Sequence, residues 1–125
     1  MSETKLILLF ALQVCHWLAD YSHLSMSFML AAKKSGKPLS PIFAHAMIHG
    51  ALMSLVLGFF MERNWLWIVL VLFQIATHFV IDVWKGKMNV WFPCIANSEN
   101  KEHWYIFGLD QMFHQVVIIL MVYWA

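Results

Sequence analysis

The amino-acid sequence predicts an all-α protein, a four-helix transmembrane bundle with antiparallel, up-down connections, and three observations carry that expectation. First, 62% of the 125 residues are hydrophobic and only 12% are charged, with a mean hydropathy of +0.68; soluble domains average about 45–50% apolar and about 25% charged. At this length the surface is large relative to the interior, so a soluble globule would leave many apolar side chains in water, and a lipid solvent removes the conflict. Second, the apolar residues fall into four segments of roughly the twenty residues needed to cross a hydrocarbon core about 30 Å thick. Third, no segment alternates as a barrel strand does, and backbone polar groups within lipid must be satisfied internally, which leaves helices.

Segment one runs from about Lys5 to Ala32. Its start imitates a signal peptide, but the apolar run continues into His16 and Asp20, so an uncleaved first span is expected. The link Lys33-Lys34-Ser35-Gly36-Lys37-Pro38 ends it with helix breakers. Ser40 and Pro41 read as an N-cap and a first-turn proline for segment two, about Pro41 to Met61. Glu62-Arg63-Asn64 is a tight polar turn that makes segment three, about Trp65 to Trp84, an antiparallel neighbour. A longer connection, about Lys85 to His103, holds Trp91-Phe92-Pro93, which suit the headgroup level, and segment four runs from about Trp104 to Ala125. The whole of 1–125 reads as one membrane domain. Lys33, Lys34, Lys37, Lys85, Lys87 and Lys101 lie in the first and third connections, against Lys5 and Arg63 elsewhere. Positive loops stay in the cytoplasm, so the reading is a multi-pass protein of the inner (cytoplasmic) membrane with both termini outside.

The net charge of +1 and the lack of a basic stripe interleaved with aromatics exclude a nucleic-acid partner. Cys15 and Cys94 have no CxxC spacing and read as ordinary small apolar residues.

Every aspartate lies four residues from a histidine: His16 with Asp20, His78 with Asp82, and Asp110 with His114. His45 with His49 completes one pair per expected helix. Side chains at i and i+4 share a helix face, so four helices offer eight converging donors. With alternating helix directions the pairs in segments two, three and four fall near the cytoplasmic end, whereas His16 and Asp20 lie nearer the middle of segment one. The order of the pairs reads as a duplicated two-helix hairpin, whose halves a pseudo-two-fold axis along the membrane normal would relate.

An unpaired ionised aspartate at bilayer depth costs several kcal/mol, so intramembrane carboxylates and imidazoles mark function. Two divalent cations carry four positive charges, which three aspartates and one hydroxide would balance, and a low-dielectric interior favours a near-neutral centre. Mixed imidazole and carboxylate ligation suits zinc, iron or manganese. The bland alternative, interhelical polar contacts that merely hold the helices together, fits one such pair better than four. Gln13 and Gln74 share the polar faces, as partners that would orient the imidazoles or as packing contacts, and Gln111 flanks the last pair as a further orienting or substrate contact; His23 reads as a further ligand, a substrate contact or an interfacial histidine. Lys85 reads as a headgroup contact or as positive-inside anchoring.

The stretches HWLADYSHLSMSFMLAAKKSGKP, FAHAMIHG, HFVIDVWKGK and FGLDQMFHQVVIIL resemble, in order and spacing, a family of small bacterial and phage membrane proteins known as domain of unknown function 3307. The likeness is most specific in HFVIDVWK and LDQMFH. It implies as family positions His16, Asp20, His45, His49, His78, Asp82, Lys85, Asp110, Gln111 and His114, and it assigns no reaction. The family carries a glutamine a few residues after the first aspartate, where this chain has His23 or Ser25.

These features lead to the expectation of an intramembrane dinuclear metal site, in a hydrolase acting on a lipid-linked or amphipathic substrate. Three alternatives stay open: a module that binds or transports a divalent metal or protons, a b-type haem protein with opposed axial histidines, and a phage- or element-encoded protein that interacts with a host membrane.

Overall fold

A computed structural model of residues 1–125 contains six helices and no strand: α1 (Glu3–Tyr21), α2 (Ser27–Ser35), α3 (Leu39–Phe60), α4 (Trp65–Trp91), α5 (Pro93–Ala96) and α6 (Lys101–Trp124). Three of them, α3, α4 and α6, are long and apolar enough to cross a membrane. The 19-residue α1 is not among them, because Gln13, His16 and Asp20 lower its hydropathy.

The single helix expected over residues 5–32 is two. Ser22 ends α1: its hydroxyl donates to the Leu18 carbonyl and accepts from the Leu24 amide at 3.2 Å, so it takes over bonds that would have continued the helix. This break moves His16 and Asp20 from mid-helix to the last turns of α1, which removes their mismatch in depth. The lysine link expected at 33–38 is partly helical, since α2 runs to Ser35 and closes on Gly36 in the left-handed conformation, φ 72°, with its amide donating to the Ala32 carbonyl at 2.9 Å. A side chain on Gly86 would put its Cβ 2.2 Å from the Gly36 nitrogen, so this pair of glycines lets α2 lie directly on α4.

Helix α3 starts at Leu39, two residues before Pro41. The proline thus sits third in the first turn, where no intrahelical donor is required of it. Asn64 caps α4, accepting from the Leu66 and Trp67 amides at 3.1 and 3.3 Å, and α4 folds back along α3. Helix α4 extends to Trp91 rather than ending near 84, and α5 fills part of the connection expected at 85–103. There Asn100 donates to the Cys94 carbonyl at 2.8 Å and Trp104 to that of Ser98 at 2.8 Å.

Helix α3 packs on α1 and α4, α4 on α6, and α6 on α1, while α2 lies across α3 and α4. At one end the interior is apolar, formed by residues such as Leu12, Met53, Leu57, Leu70, Ile118 and Met121. At the other it is lined by the histidines and aspartates. Only 27 of 125 residues are buried, and large apolar side chains such as Phe59 (84% exposed) and Trp65 (76%) point outward, a surface compatible with lipid.

Candidate metal centre

Four helices deliver the polar side chains to one end of the interior. His45 and His49, one turn apart on α3, each bring Nε2 to 2.9 Å from Asp20 Oδ1 of α1, and their Nε2 atoms lie 3.3 Å apart. His16 Nε2 approaches the other Asp20 oxygen at 3.1 Å. On the facing side, Asp82 of α4 has His78 Nε2 at 3.1 Å from Oδ2 and His114 Nε2 of α6 at 3.3 Å from Oδ1. Asp110 Oδ1 lies 3.3 Å from the same His114 nitrogen. The two sides meet through closely approaching, mutually tilted rings, with centroids 3.7 Å apart for His49 and His78 and 4.2 Å for His78 and His114. His45 and His49 are fully enclosed, and Asp82 is 2% exposed.

Hydrogen bonding alone does not account for these contacts. His45 Nε2 faces an acceptor, Asp20 Oδ1, at 2.9 Å and a donor, the Lys33 ammonium, at 3.3 Å, with His49 Nε2 also at 3.3 Å. No tautomer satisfies all three. His78 Nε2 and Asp82 Oδ2 are 3.1 Å apart, yet neither has a hydrogen bond, and buried Asp110 Oδ1 has none either. Unpartnered buried groups of this kind cost about 1–3 kcal/mol each, more when charged. A shared cation would satisfy them. Ligand bonds of about 2.0–2.1 Å put neighbouring donors about 2.9 Å apart at right angles and about 3.3 Å apart at the tetrahedral angle, which matches the spacings around Asp20.

Two groups of donor atoms are compact enough to hold a metal ion: Asp20, His45, His49 and His78, and then His78, Asp82 and His114, the atoms of each group within 4.8 Å of one another. His16 and Asp110 stand outside these groups, each beside a member of one. His78 belongs to both. An imidazole nitrogen binds one ion at a time, so His78 would serve only one of two ions.

A family model described as "Protein of unknown function (DUF3307)" matches residues 8–125. The chain belongs to this family. The matched residues include all eight histidines and aspartates of the four pairs. No curated protein and no solved structure matches the chain.

The residues expected around the ligands divide. Gln111 lies where an orienting partner should, with Oε1 3.4 Å from His16 Nε2 and its amide nitrogen donating to Asp110 Oδ2 at 3.0 Å. Gln74 is 3.5 Å from His78 Nδ1 through its amide nitrogen, while its own oxygen is buried without a partner. Turning that amide by half a rotation lets Oε1 accept from Nδ1–H and leaves the Nε2 lone pair for the centre. Gln13 does not orient His16; it donates to Gln115 of α6, one turn further toward the apolar end. His23 is exposed beyond the end of α1 and contacts none of these groups, because the break at Ser22 turns the chain away. Lys85 is half-buried, over the Phe107 ring.

One member of this cluster escaped the sequence reading. Lys33 Nζ lies 3.3 Å from His45 Nε2 and 3.9 Å from both Asp20 and Asp82. It looked like a charge in a loop. The signal that identifies it is Met29, buried one turn earlier with Ala32 on the inner face of α2, a periodicity hidden once 33–38 is taken as a linker.

Proposed function

We propose that the chain is an intramembrane metal-dependent hydrolase acting on a lipid-linked or amphipathic substrate. The observation that carries the reading is the meeting of imidazole Nε2 and carboxylate oxygen atoms at 2.9–3.3 Å from four separate helices, with buried members that hydrogen bonds leave unsatisfied. In this reading His16, Asp20, His45 and His49 hold one divalent ion and His78, Asp82, Asp110 and His114 a second, with zinc, iron or manganese as the metal. Such ions supply an activated water at neutral pH and polarise the group under attack. Gln74 and Gln111 orient imidazoles.

The same reading takes α1 as a fourth span beside α3, α4 and α6, in an antiparallel, up-down four-helix bundle formed by two duplicated hairpins within one membrane domain. Its one strongly polar face is turned inward, which reconciles modest hydropathy with a place in lipid. The lysines of α2 and the end of α4 then mark the cytoplasmic side of an inner membrane, with both termini outside. The apolar interior beyond the Gln13–Gln115 bond offers no polar route to the far side, which disfavours transport. Histidine ring centroids only 3.7 and 4.2 Å apart leave no slot for a macrocycle between opposed axial ligands, which disfavours haem.

The test is elemental analysis of the detergent-purified protein, followed by assays of ester and phosphoester cleavage with and without chelator. Two equivalents of metal are expected, with Asp20→Asn and Asp82→Asn each losing at least one, and cleavage is expected to stop on chelation. Full metal content in both variants would overturn the site. Metal binding without any cleavage would overturn the hydrolase.

A further inference from the structure

A cavity of about 320 Å³ opens above the aspartates, close to the lower limit of volumes that ordinarily hold small ligands. Asp20, Asp82 and Asp110 form its floor, and Lys33, Lys34 and Lys85 line it from α2 and α4. We propose that this cavity receives the phosphate group of a hydrocarbon-tailed substrate, the three lysines holding its oxygens over the metal ions. The inference rests on the metal reading above and deepens it.

Charge is the first reason. Two divalent ions, three aspartates and one metal-activated hydroxide would sum to zero, so the three lysines leave the loaded cavity positive and favour an anion there. The lysines are available. Lys33 stays 3.9 Å from both carboxylates, beyond the 2.7–2.9 Å of a strong charge-assisted bond; its nearer neighbour is His45 Nε2 at 3.3 Å, and its flexible four-carbon stem can swing the ammonium from there into the cavity. Lys85 Nζ rests 5.4 Å from the Phe107 ring centroid, and neither it nor Lys34 pairs with any carboxylate.

Geometry is the second reason. The donors approach from two helices and the ions from below, so a group presenting oxygens in several directions fits better than a planar carboxylate with two. The unpartnered oxygens Asp82 Oδ2 and Asp110 Oδ1, both on buried side chains, belong to the residues of this floor. The lip is apolar: Tyr21 (61% exposed), Leu30 (43%) and half-buried Phe107, from α1, α2 and α6, give a hydrocarbon tail an exit toward lipid while the head stays inside.

Calorimetric titration of the zinc- or manganese-loaded protein in a non-ionic maltoside micelle tests the proposal, with dioctanoyl phosphatidic acid, inorganic phosphate and octanoate as probes. The phosphatidic acid is expected to bind and to compete with inorganic phosphate, octanoate to bind far more weakly, and Lys34→Gln and Lys85→Gln each to weaken the lipid by about tenfold or more without changing metal content. Equal binding of octanoate would overturn the phosphate assignment, and no advantage of the lipid over inorganic phosphate would overturn the tail. Wild-type affinity in both lysine variants would overturn the cavity as the site. Metal content measured on the same samples separates the two readings. Full metal with no phosphate binding sinks this inference alone, whereas phosphate binding by a protein that holds no metal sinks the hydrolase reading.

Discussion

At one end of α1, α3, α4 and α6 the interior is Leu12, Met53, Leu57, Leu70 and Ile118; at the other it is His45, His49, His78, Asp82 and His114, buried to the same degree. If the helices lie in lipid, as proposed above, these ends cohere for different reasons. A leucine gains little by leaving lipid for a protein core, so the apolar end is held by close packing and dispersion. At the polar end a misplaced helix strands an imidazole or a carboxylate in a medium that offers it no partner. The apolar end therefore tolerates exchange of one aliphatic group for another, whereas the polar end fixes register and depth atom by atom.

The sharpest way to break that contrast is one truncation at each end. In the proposed assignment His78 holds the second ion and also lies within reach of the first donor group, so His78→Ala is expected to lose at least one equivalent of metal and, on the hydrolase reading, to slow cleavage on the order of a thousandfold, the loss of several kcal/mol of charge stabilisation. Met53→Ala, at a fully enclosed apolar position, is expected to lower stability to unfolding in detergent by about 2–5 kcal/mol and to leave metal content untouched. Parallel elemental analysis and thermal unfolding of the two variants check both halves of the statement. A Met53→Ala protein depleted of metal would show that the ends are one cooperative unit.

A second break concerns how α2 is held over the polar end. Because a Cβ on Gly86 would sit 2.2 Å from the Gly36 nitrogen, Gly86→Val is expected to lift α2 from α4 at a cost of about 1–3 kcal/mol and to carry Lys33 away from the carboxylates. Limited proteolysis within residues 22–38 should accelerate, while the apolar end keeps its protection. Next in size is Gln74→Leu, which removes the partner of His78 Nδ1 but no ligand. Metal affinity is expected to fall about 10–100-fold with stoichiometry restored at high metal concentration.

Much of this contrast was legible from spacing. The i,i+4 pairs predicted which faces turn inward, and four apolar runs separated by lysines, Pro38 and the Glu62-Arg63-Asn64 turn predicted where the chain reverses. What spacing could not supply was the end of α1. Ser22 stops it by bonding backward and forward with one hydroxyl, and a serine that caps reads in sequence like a serine that is merely exposed. That misplaced boundary had three consequences: His16 and Asp20 were put too deep, His23 was counted among the possible ligands although it lies exposed beyond α1, and α2 was merged into segment one while its last turn, with Lys33, was taken for a linker. Gln13 bonds away from His16 for another reason. It does share the face of His16, but shared direction says nothing about which neighbour on another helix lies closer, and Gln115 does.

The Gln13–Gln115 bond marks the border between the two ends and gives the smallest expected effect. Both residues are half-buried, one turn below His16 and beside His114, and their amides bond to each other rather than to a ligand. If the bond only joins α1 to α6, a double-mutant cycle with Gln13→Leu and Gln115→Leu should return a coupling of about 0.6 kcal/mol, the usual size of an interhelical polar contact in lipid, with unchanged metal affinity. Unfolding in detergent measures the first quantity and competition with a calibrated chelator the second. If the amides instead belong to the polar end, each single variant should lower metal affinity as Gln74→Leu does, because a group that steers an imidazole acts on the ion through it. The two leucines also make a sequence-level distinction physical: they extend the apolar interior by one layer toward the histidines. Wild-type metal binding in the double variant would place the border of the site at His16 and His114, and a loss would move it one turn deeper.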